Sequence, residues 1–366
     1  MRILRHVGVA ALLPLALTAA RAQDASLADF YRGKTVTFMI NFTVGGSTDI
    51  EGRVWARHLR KHIPGQPTVV VQNMGGAGGT IGTNWLAQVA RPDGLTLGYL
   101  TGSTGKQALG ETQLVDMNTL SYIGNSPDVN LTYARTDIPP GLKKPIDLMK
   151  AKDFWIGGLT PDSSKDVIER LQLDMLGISY RYLSGFKGSP EARHALEKGE
   201  IAFYNEGIAS WFASIEPNMG RRGEVIPVWY DPMDDGVEMK APPDAAGVPA
   251  KPFHEFYEEA LGRKPSGQLW DMYRRANLFT TTYLRVFMMP PKTPQTYVDA
   301  MVKAFTATAE DPEFVADTRQ ALQRTPGFKS GPVAAGSFRR MLEPNAEYRA
   351  FMAEFIARGH RTMGAK

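Results

Sequence analysis

Residues 38–49, Phe-Met-Ile-Asn-Phe-Thr-Val-Gly-Gly-Ser-Thr-Asp, predict a β-strand that leads through a glycine turn into a helix. Apolar and more polar residues alternate over residues 35–42, which is the period of a strand with one buried face. Gly45 and Gly46 allow a tight turn, and Thr48 followed by Glu51 has the spacing of a helix-capping box. Because the first N–H groups of a helix lack partners within it, this turn favours a carboxylate or a phosphate.

Two further strand and glycine-loop patterns follow before residue 110. An apolar strand at residues 69–71 leads into the loop 72–82, Gln-Asn-Met-Gly-Gly-Ala-Gly-Gly-Thr-Ile-Gly, and a strand at 95–100 ends in the turn Thr-Gly-Ser-Thr-Gly at 101–105. Right-handed crossovers place the equivalent loops of a parallel sheet on one edge. We therefore expect these loops to meet at one ligand site, although each turn by itself could be only a connection.

The N-terminal residues 1–22 have the features of a secretory signal peptide. Arg2 and Arg5 precede an apolar run over residues 7–17, and Ala-Arg-Ala at 20–22 fits a cleavage site. The run is too short for a comfortable transmembrane helix, and no later segment approaches the roughly 18 apolar residues that spanning requires. We predict an exported, soluble mature protein.

Charge and composition narrow the functional classes. Lys and Arg total 42 against 38 Asp and Glu, and loss of Arg2, Arg5 and Arg21 with the leader would leave a net charge of about +1. Nucleic-acid binding therefore has little support. The chain has no cysteine, which excludes thiol nucleophiles, thiolate metal sites and disulfides. Hydrophobic residues make up 43%, so the 366 residues can build globular domains of ordinary size.

The later part of the chain predicts a second α/β lobe between two extended crossings. The βα pattern begins again after residues 131–135 and places strand-end turns at 160–164 and 205–207. Residues 231–274 are rich in Pro, Asp and Gly and are interpreted as a surface excursion, whereas 280–289 is predicted to be an extended return strand.

The predicted fold class is therefore α/β, with two lobes, two crossover strands and a ligand cleft between the lobes. Helical patterns close the chain at 294–309, 312–323 and 336–358. The predicted division is a signal peptide at 1–22, the first part of domain 1 at 23–133, domain 2 at 134–281, and the return strand with the C-terminal helices of domain 1 at 282–366.

The motifs together resemble a known family. Their order and spacing are similar to those of the Bug family, the periplasmic receptor subunits of tripartite tricarboxylate transporters, and the resemblance covers nearly the whole mature chain. It rests on residues 41–49, 72–82, 91–97 (Arg-Pro-Asp-Gly-Leu-Thr-Leu), 185–190 (Gly-Phe-Lys-Gly-Ser-Pro) and 290–294 (Pro-Pro-Lys-Thr-Pro). The resemblance implies a type II periplasmic-binding fold, two domains that close on a small carboxylate, and delivery of that carboxylate to a two-component membrane permease.

The resemblance also implies which residues bind the ligand. In the family, the loops of the first domain hold the carboxylate largely through backbone amides. Asp49 matches an aspartate of the family, and we assign it to the capping turn because two carboxylates would repel each other. By position, these loop residues are Gly45, Gly46, Ser47, Thr48, Gly76, Ala77, Gly78 and Gly79. The further candidates in strand-end turns are Ser103, Ser163, Ser164 and Asn205. The family usually has proline at positions 41 and 43, where this chain has Asn41 and Thr43, so we expect a less rigid first loop.

Lys165 is the one cation among the candidates. Ser163 or Ser164 would cap the helix that follows residues 160–164, and Lys165 would lie in its first turn. We expect Lys165 to contact the far end of a dicarboxylate. The alternative is a surface ion pair with Asp162, Asp166 or Glu169, which contributes about 0–1 kcal/mol.

Enzyme interpretations fit the motifs less well. The loop 76–82 resembles a dinucleotide-binding loop, but Ile81 stands where the third glycine is required. The turn 101–105 lacks the first glycine of a nucleophile elbow. His58 and His62 lie four residues apart and could share a metal, but the basic residues around them favour a solvated face. We therefore predict a monomeric receptor with no cofactor, no metal and no catalysis, and retain an exported α/β enzyme acting on an acidic small molecule as the alternative.

Overall fold

The computed structural model describes residues 25–110, 115–234, 239–240 and 247–364, with side chains up to residue 358. The predicted signal peptide lies outside these residues. Two six-stranded sheets form the centres of two lobes, and a two-stranded antiparallel ribbon pairs Met233–Asp234 with Met239–Lys240 (β10 and β11). Within the described ranges, no helix has both the length and the apolar character needed to cross a bilayer.

The first sheet contains the strand–loop–helix patterns that were predicted from the start of the chain. In spatial order its strands are β14 (Lys329–Ser330), β4 (Ser121–Ser126), β13 (Arg285–Met289), β3 (Thr96–Thr101), β1 (Thr35–Ile40) and β2 (Thr68–Asn73). Strand β1 pairs in parallel with β2 and β3, and so their carboxyl ends share one edge, as expected.

Helices cover both faces of this sheet and fix the loops at its edge. They are α1 (25–31), α2 (Ser47–Leu59), α3 (Thr80–Gln88), α4 (Ser103–Leu109), α10 (Gln295–Glu310), α11 (Pro312–Leu322) and α12 (Gly331–Met341). Aromatic rings fill the core beneath α2, where Trp55 packs against Phe314 with ring centroids 4.4 Å apart and Phe287 packs against Phe305 at 4.3 Å.

The second sheet has a mixed order around a central antiparallel strand. Its strands are β12 (Lys251–Pro252), β9 (Val225–Tyr230), β5 (Asn130–Arg135), β8 (Phe203–Gly207), β6 (Trp155–Gly158) and β7 (Arg181–Ser184). The helices of this lobe are α5 (Ser164–Leu176), α6 (Ser189–Glu197), α7 (Ile208–Ser210, which continues as a π-helix over Trp211–Gly220), α8 (Phe253–Leu261) and α9 (Gln268–Thr280).

The chain crosses between the sheets earlier than predicted. Strand β4 ends in the first sheet and β5 begins in the second, so residues 127–129 form the crossing. The predicted boundary at 133/134 lies inside β5, which is hydrogen-bonded to both β8 and β9. An extended crossing and a central strand have the same apolar pattern, and only the pairing of β5 distinguishes them. The return passes through residues 281–284, which include the second predicted boundary.

The predicted ten-residue return strand is also wrong in part. Only Arg285–Met289 is a strand. Thr280 ends helix α9 and residues 281–284 form a turn, and the first half of α9 lies in the predicted excursion at 231–274. Helix α9 packs against α5, and its apolar residues Met272, Tyr273, Ala276 and Phe279 follow a helical period. Proline and glycine upstream of residue 268 obscured that period.

The C-terminal region forms two helices and not one. The predicted helix at 336–358 is divided by residues 342–345, which include Pro344, into α12 and α13 (Ala346–Gly364). Tyr348, Met352 and Phe355 of α13 are buried in the core of the second lobe. Arg349 meanwhile donates to the carbonyl oxygen of Ala108 in α4 (3.1 Å). Assigning all of 282–366 to the first domain was therefore incorrect, since α13 contacts both lobes.

Candidate functional site

The first glycine loop ends in a helix without a side-chain cap. Helix α2 begins at Ser47, with Gly46 in extended conformation before it, and the predicted capping box is absent. The Thr48 hydroxyl instead donates to the Thr101 hydroxyl (3.1 Å). Asp49 accepts the backbone N–H of Gly45 (2.9 Å), which confirms its assignment to the capping turn. The first amides of α2 therefore have no competing side chain from the helix itself.

Glu51, the predicted partner in the capping box, lies in a buried cluster. Its carboxylate accepts hydrogen bonds from Arg285 and Arg324 (Nη1, 2.7 Å), and also from Tyr99 (2.6 Å) and Ser126 (3.0 Å). Burial opposes the ionisation of Glu51, but the two guanidinium groups and the hydroxyl donors outweigh it and lower its pKa. Glu51 is therefore a buried, charged side chain of α2 that binds both arginines.

The second glycine loop has an unusual run of left-handed residues. Gly76, Ala77, Gly78 and Gly79 all have positive φ angles, of 127°, 48°, 59° and 95°. A Cβ atom on Gly78 would lie 3.0 Å from Cε of Lys106 and 3.1 Å from the hydroxyl oxygen of Thr160, a residue of the other lobe. The loop thus brings its backbone against the second lobe, and a side chain at position 78 would interfere.

A small cavity lies between the lobes at the predicted edge. Its volume is about 60 Å³. Predicted candidates that line the cavity are Gly46, Ser47, Thr48, Gly78, Ser163, Ser164 and Lys165. Lining residues that the sequence analysis did not propose are Phe42, Thr43, Thr101, Gly102, Asn130, Leu159, Ser189, Glu206, Gly207, Leu284 and Arg285. The cavity therefore has contributions from both lobes and from the return segment.

The other predicted candidates support the cavity from outside. The described residues that line it do not include Gly45, Gly76, Ala77, Gly79, Ser103 and Asn205. Ser103 shares a hydrogen bond with Thr83 (2.6 Å) beneath the second loop. The Asn205 amide donates to the Thr132 hydroxyl (2.8 Å), which joins the two central strands of the second sheet. The carbonyl oxygen of Asn205 takes part in the site because it accepts a hydrogen bond from Lys165.

Lys165 is directed into the second lobe. Its ammonium group donates to the Asn205 carbonyl oxygen (2.9 Å) and lies 3.5 Å from the centroid of the Tyr204 ring. Burial lowers the pKa of Lys165, and the nearby carboxylates, of which Asp166 contributes most, partly oppose that shift. Lys165 is thus partly buried beside the cavity and donates to a backbone carbonyl oxygen, which differs from the alternative of an exposed surface ion pair.

The second lobe offers its own helix N-terminus. Helix α5 begins at Ser164, and the Ser163 hydroxyl accepts the N–H of Asp166 (3.4 Å), as the sequence predicted for this cap. Helices α2 and α5 thus both start at the cavity, one from each lobe. Each start presents unpaired amides and the positive end of a helix dipole.

Polar contacts join the lobes around the cavity. Lys106 of the first lobe pairs with Asp162 of the second (2.6 Å). Arg193 of α6 donates to the Gly45 carbonyl oxygen (2.9 Å) while it also pairs with Glu206 (2.9 Å). These contacts define a closed arrangement of the two lobes.

The histidines considered as metal ligands have structural roles. His58 of α2 contacts Asp317 of α11 (2.9 Å), and His62, just after α2, contacts Asp311 at the start of α11 (2.9 Å). This region therefore packs against α11 and is not simply solvated. In the part of the chain that the structure describes, no group of three or more potential metal-ligating side chains occurs.

Comparison with known sequences gives partial matches to a Bug protein and to UPF0065 proteins. No family model matches the chain. It is 41% identical over 113 residues to protein BugT of Bordetella pertussis, covering 29% of this chain and 33% of that protein. It is 30% identical over 190 residues to a UPF0065 protein of Agrobacterium vitis, covering 50% of this chain and 52% of that protein. The chain thus spans from a third to about half of the length of these curated relatives.

Comparison with solved structures extends over nearly the whole chain. The periplasmic binding protein BugD matches with a TM-score of 0.64 and 21% identity, covering 90% of this chain and 99% of BugD. MatC of Rhodopseudomonas palustris with bound malate matches with a TM-score of 0.62 and 19% identity, covering 87% and 99%. An R. palustris protein with adipate matches with a TM-score of 0.63 and 18% identity, covering 90% and 97%.

These likenesses define the class by fold, that of a two-lobed periplasmic binding protein. Together with the sequence matches, they confirm the predicted resemblance to the Bug family of periplasmic receptors.

Proposed function

We propose that this protein is a periplasmic receptor that captures a small carboxylate and delivers it to the membrane permease of a tripartite tricarboxylate transporter. The observation that carries the proposal is the cavity between the lobes, at which helices α2 and α5 both begin. Two helix N-termini that face one enclosed space favour an anion, because they supply free N–H donors and positive dipole ends.

The chemistry of the cavity wall suits a carboxylate. Backbone N–H donors come from Gly46, Ser47 and Thr48 on one side and from Ser164 on the other, and the Ser47 hydroxyl adds a further donor. Each hydrogen bond to a charged group contributes roughly 1.5–3 kcal/mol. Three or four such bonds are sufficient for micromolar affinity, about −8 kcal/mol, after the cost of association. Phe42, Leu159 and Leu284 provide apolar wall for the carbon chain of the ligand.

The relatives support the same ligand class by analogy. MatC holds malate and a second neighbour of this fold holds adipate, both of which are dicarboxylates. Fold alone does not transfer a ligand, so the argument from this chain rests on its own cavity. We assign one carboxylate group to the first lobe and, for a dicarboxylate, the second group to the side of Lys165.

A receptor role also implies export to the periplasm and a hinge between the lobes. The predicted leader at residues 1–22 would export the protein to the periplasm, where a monomer would meet the permease subunits. The two segments that join the lobes, residues 127–129 and 281–284, would act as the hinge for capture and release. Binding and release would need no catalytic group.

Thermal-shift screening of protein purified from the periplasm tests the proposal. The panel contains mono-, di- and tricarboxylates and aromatic acids, and a ligand at about 100 times its Kd should stabilise the fold by about 2.7 kcal/mol. The mass of the purified protein shows whether cleavage follows Ala22. A folded protein that no carboxylate stabilises would refute the receptor assignment, and turnover of a panel member would favour the enzyme alternative.

A further inference from the structure

Arg285 is a buried cation at the cavity to which the sequence analysis gave no role. It is the first residue of β13, it lines the cavity, and its side chain is completely buried. In register it lies opposite Thr101 of β3, another residue of the cavity wall. An arginine buried at this position needs partners for all its donors, because unpaired buried N–H groups are unfavourable.

Among the residues that the structure describes, only one nitrogen of this guanidinium group has a protein partner. Nη1 contacts the carboxylates of Glu51 and Asp128. Within the described residues, Nε and Nη2 are buried and have no hydrogen-bond partner. Nε–H and one N–H of Nη2 point in the same direction from one edge of the planar group. That edge matches the two oxygens of a carboxylate, which it binds through two parallel hydrogen bonds.

Glu51 and Asp128 hold the Arg285 guanidinium group in place, and Arg324 balances their charge. Arg324 pairs with the same two carboxylates, Glu51 and Asp128, so two guanidinium groups balance two carboxylates. Tyr99 and Ser126 donate to Glu51 as well. The charge of Arg285 is thus already balanced, and what the cluster lacks is an acceptor for the free edge. A guanidinium fixed in this way is preorganised for a ligand.

We propose that the Nε–Nη2 edge of Arg285 binds the carboxylate group that the first lobe captures, beside the first amides of α2. This inference rests on the proposed function and deepens it, because it adds a side-chain cation to the first-lobe side of the site, which otherwise offers backbone and hydroxyl donors. Arg285 and Lys165 then have different roles. Arg285 binds one carboxylate group of any ligand, whereas Lys165 binds only the second group of a dicarboxylate.

The test compares Arg285→Lys with a matched control from the same cluster. Both Arg285→Lys and Arg324→Lys keep the charge balance with Glu51 and Asp128, but only Arg285 lines the cavity. The probes are succinate and butyrate, a dicarboxylate and a monocarboxylate of equal length, measured by calorimetry alongside the thermal stability of each variant. We expect Arg285→Lys to weaken the affinity for both probes by at least about tenfold and Arg324→Lys to change these affinities by less than about threefold.

Two results would overturn the inference while leaving the receptor function intact. One is unchanged affinity in Arg285→Lys, and the other is an equal loss in both variants, which would place the effect in the cluster and not in the free edge. If the wild-type protein binds no carboxylate, the proposed function fails and this inference fails with it.

A crystal structure of the wild-type protein with succinate provides a second test that does not depend on the folding of a variant. Both oxygens of one carboxylate should lie about 3 Å from Nε and Nη2 of Arg285. A water molecule in that position, or a carboxylate bound elsewhere in the cavity, would contradict the proposal.

Discussion

Gly46 and Gly78 show how single residues shape the cavity from opposite loops. Gly46 has an extended backbone, and a Cβ atom there would make only ordinary contacts, at 3.9 Å, with Pro190 and with the Thr43 carbonyl oxygen. Gly78 is left-handed and faces the second lobe at close range. A side chain at position 46 would therefore occupy ligand space, whereas one at position 78 would also oppose closure.

We predict that Gly46→Val abolishes ligand-induced stabilisation while leaving the apo fold largely intact, and that Gly78→Ala weakens ligand binding. The matched control is Gly177→Ala, because Gly177 is also left-handed (φ 68°) but has no neighbour within 4 Å of an added Cβ atom. Both alanine variants should lose about 1 kcal/mol of stability from the backbone. Calorimetric titration should show weaker binding for Gly78→Ala alone; equal affinities would remove this loop from the site.

Lys165 is predicted to contact the second group of a dicarboxylate. Its ammonium group has one hydrogen-bond acceptor, the Asn205 carbonyl oxygen, among the described contacts, and it borders the cavity. Lys165→Met should weaken the affinity for succinate by roughly tenfold, as expected for the loss of a charge-assisted hydrogen bond, and leave the affinity for butyrate unchanged. Equal changes for both ligands, or none, would contradict the contact.

At the scale of elements, helix α5 is joined to the end of β9 by buried polar groups. Gln172 of α5 donates to the Asp231 carboxylate (2.6 Å) and accepts from the Trp229 indole (2.9 Å). Burial raises the pKa of Asp231 to about 7, although hydrogen bonds from Gln172 and neighbouring amides oppose this shift. The helix that carries Ser164 and Lys165 thus rests on a group that titrates near neutral pH.

Asp231 therefore predicts a pH dependence of stability. Because its pKa is higher in the folded state than the ordinary value of 3.8, the folded state retains the proton longer than the unfolded chain. The contribution to stability is complete below about pH 4 and is lost as the pH rises to about 7. Asp231→Asn should remove this loss and raise stability at pH 8, on the order of a few kcal/mol. Urea denaturation of both proteins between pH 4 and 8 measures the effect, and parallel pH profiles would refute it.

At the scale of the whole molecule, the two lobes are held together by few polar links. Lys106–Asp162 and Arg193–Gly45 join them beside the cavity, and α13 packs on both. Only residues 127–129 and 281–284 connect the two sheets through the chain in the described part. Such an arrangement permits rotation of one lobe about two short segments with small changes in dihedral angle.

We predict that the free protein opens in solution and that a ligand closes it. The arrangement described here is closed, so a saturating carboxylate should reduce the radius of gyration toward the value for this structure. Small-angle X-ray scattering with and without ligand measures the change, with acetate at the same ionic strength as the control. Superimposable profiles for a protein that demonstrably binds ligand would contradict the closing-receptor model.

The local sequence determined the strands, turns and helix caps, because these depend on residues that are close in the chain. The alternation in residues 35–42, the glycine turn before Ser47 and the cap at Ser163 each identify an element by spacing alone. The parallel pairing of β1 with β2 and β3 then placed the loops on one edge, as the crossover rule predicts. The motif order was sufficient for the resemblance to the Bug family.

Only the tertiary structure decided the partners that lie far apart in the chain. Arg285 and Glu51 are separated by 234 residues, and Arg324 and Glu51 by 273, so no local spacing could reveal the buried cluster or the free guanidinium edge. The same applies to Lys165, whose surroundings come from β8, and to α13, whose apolar residues are buried in the core of the second lobe. Periodicity indicates which face of an element is buried, but which element covers that face depends on packing across the whole fold.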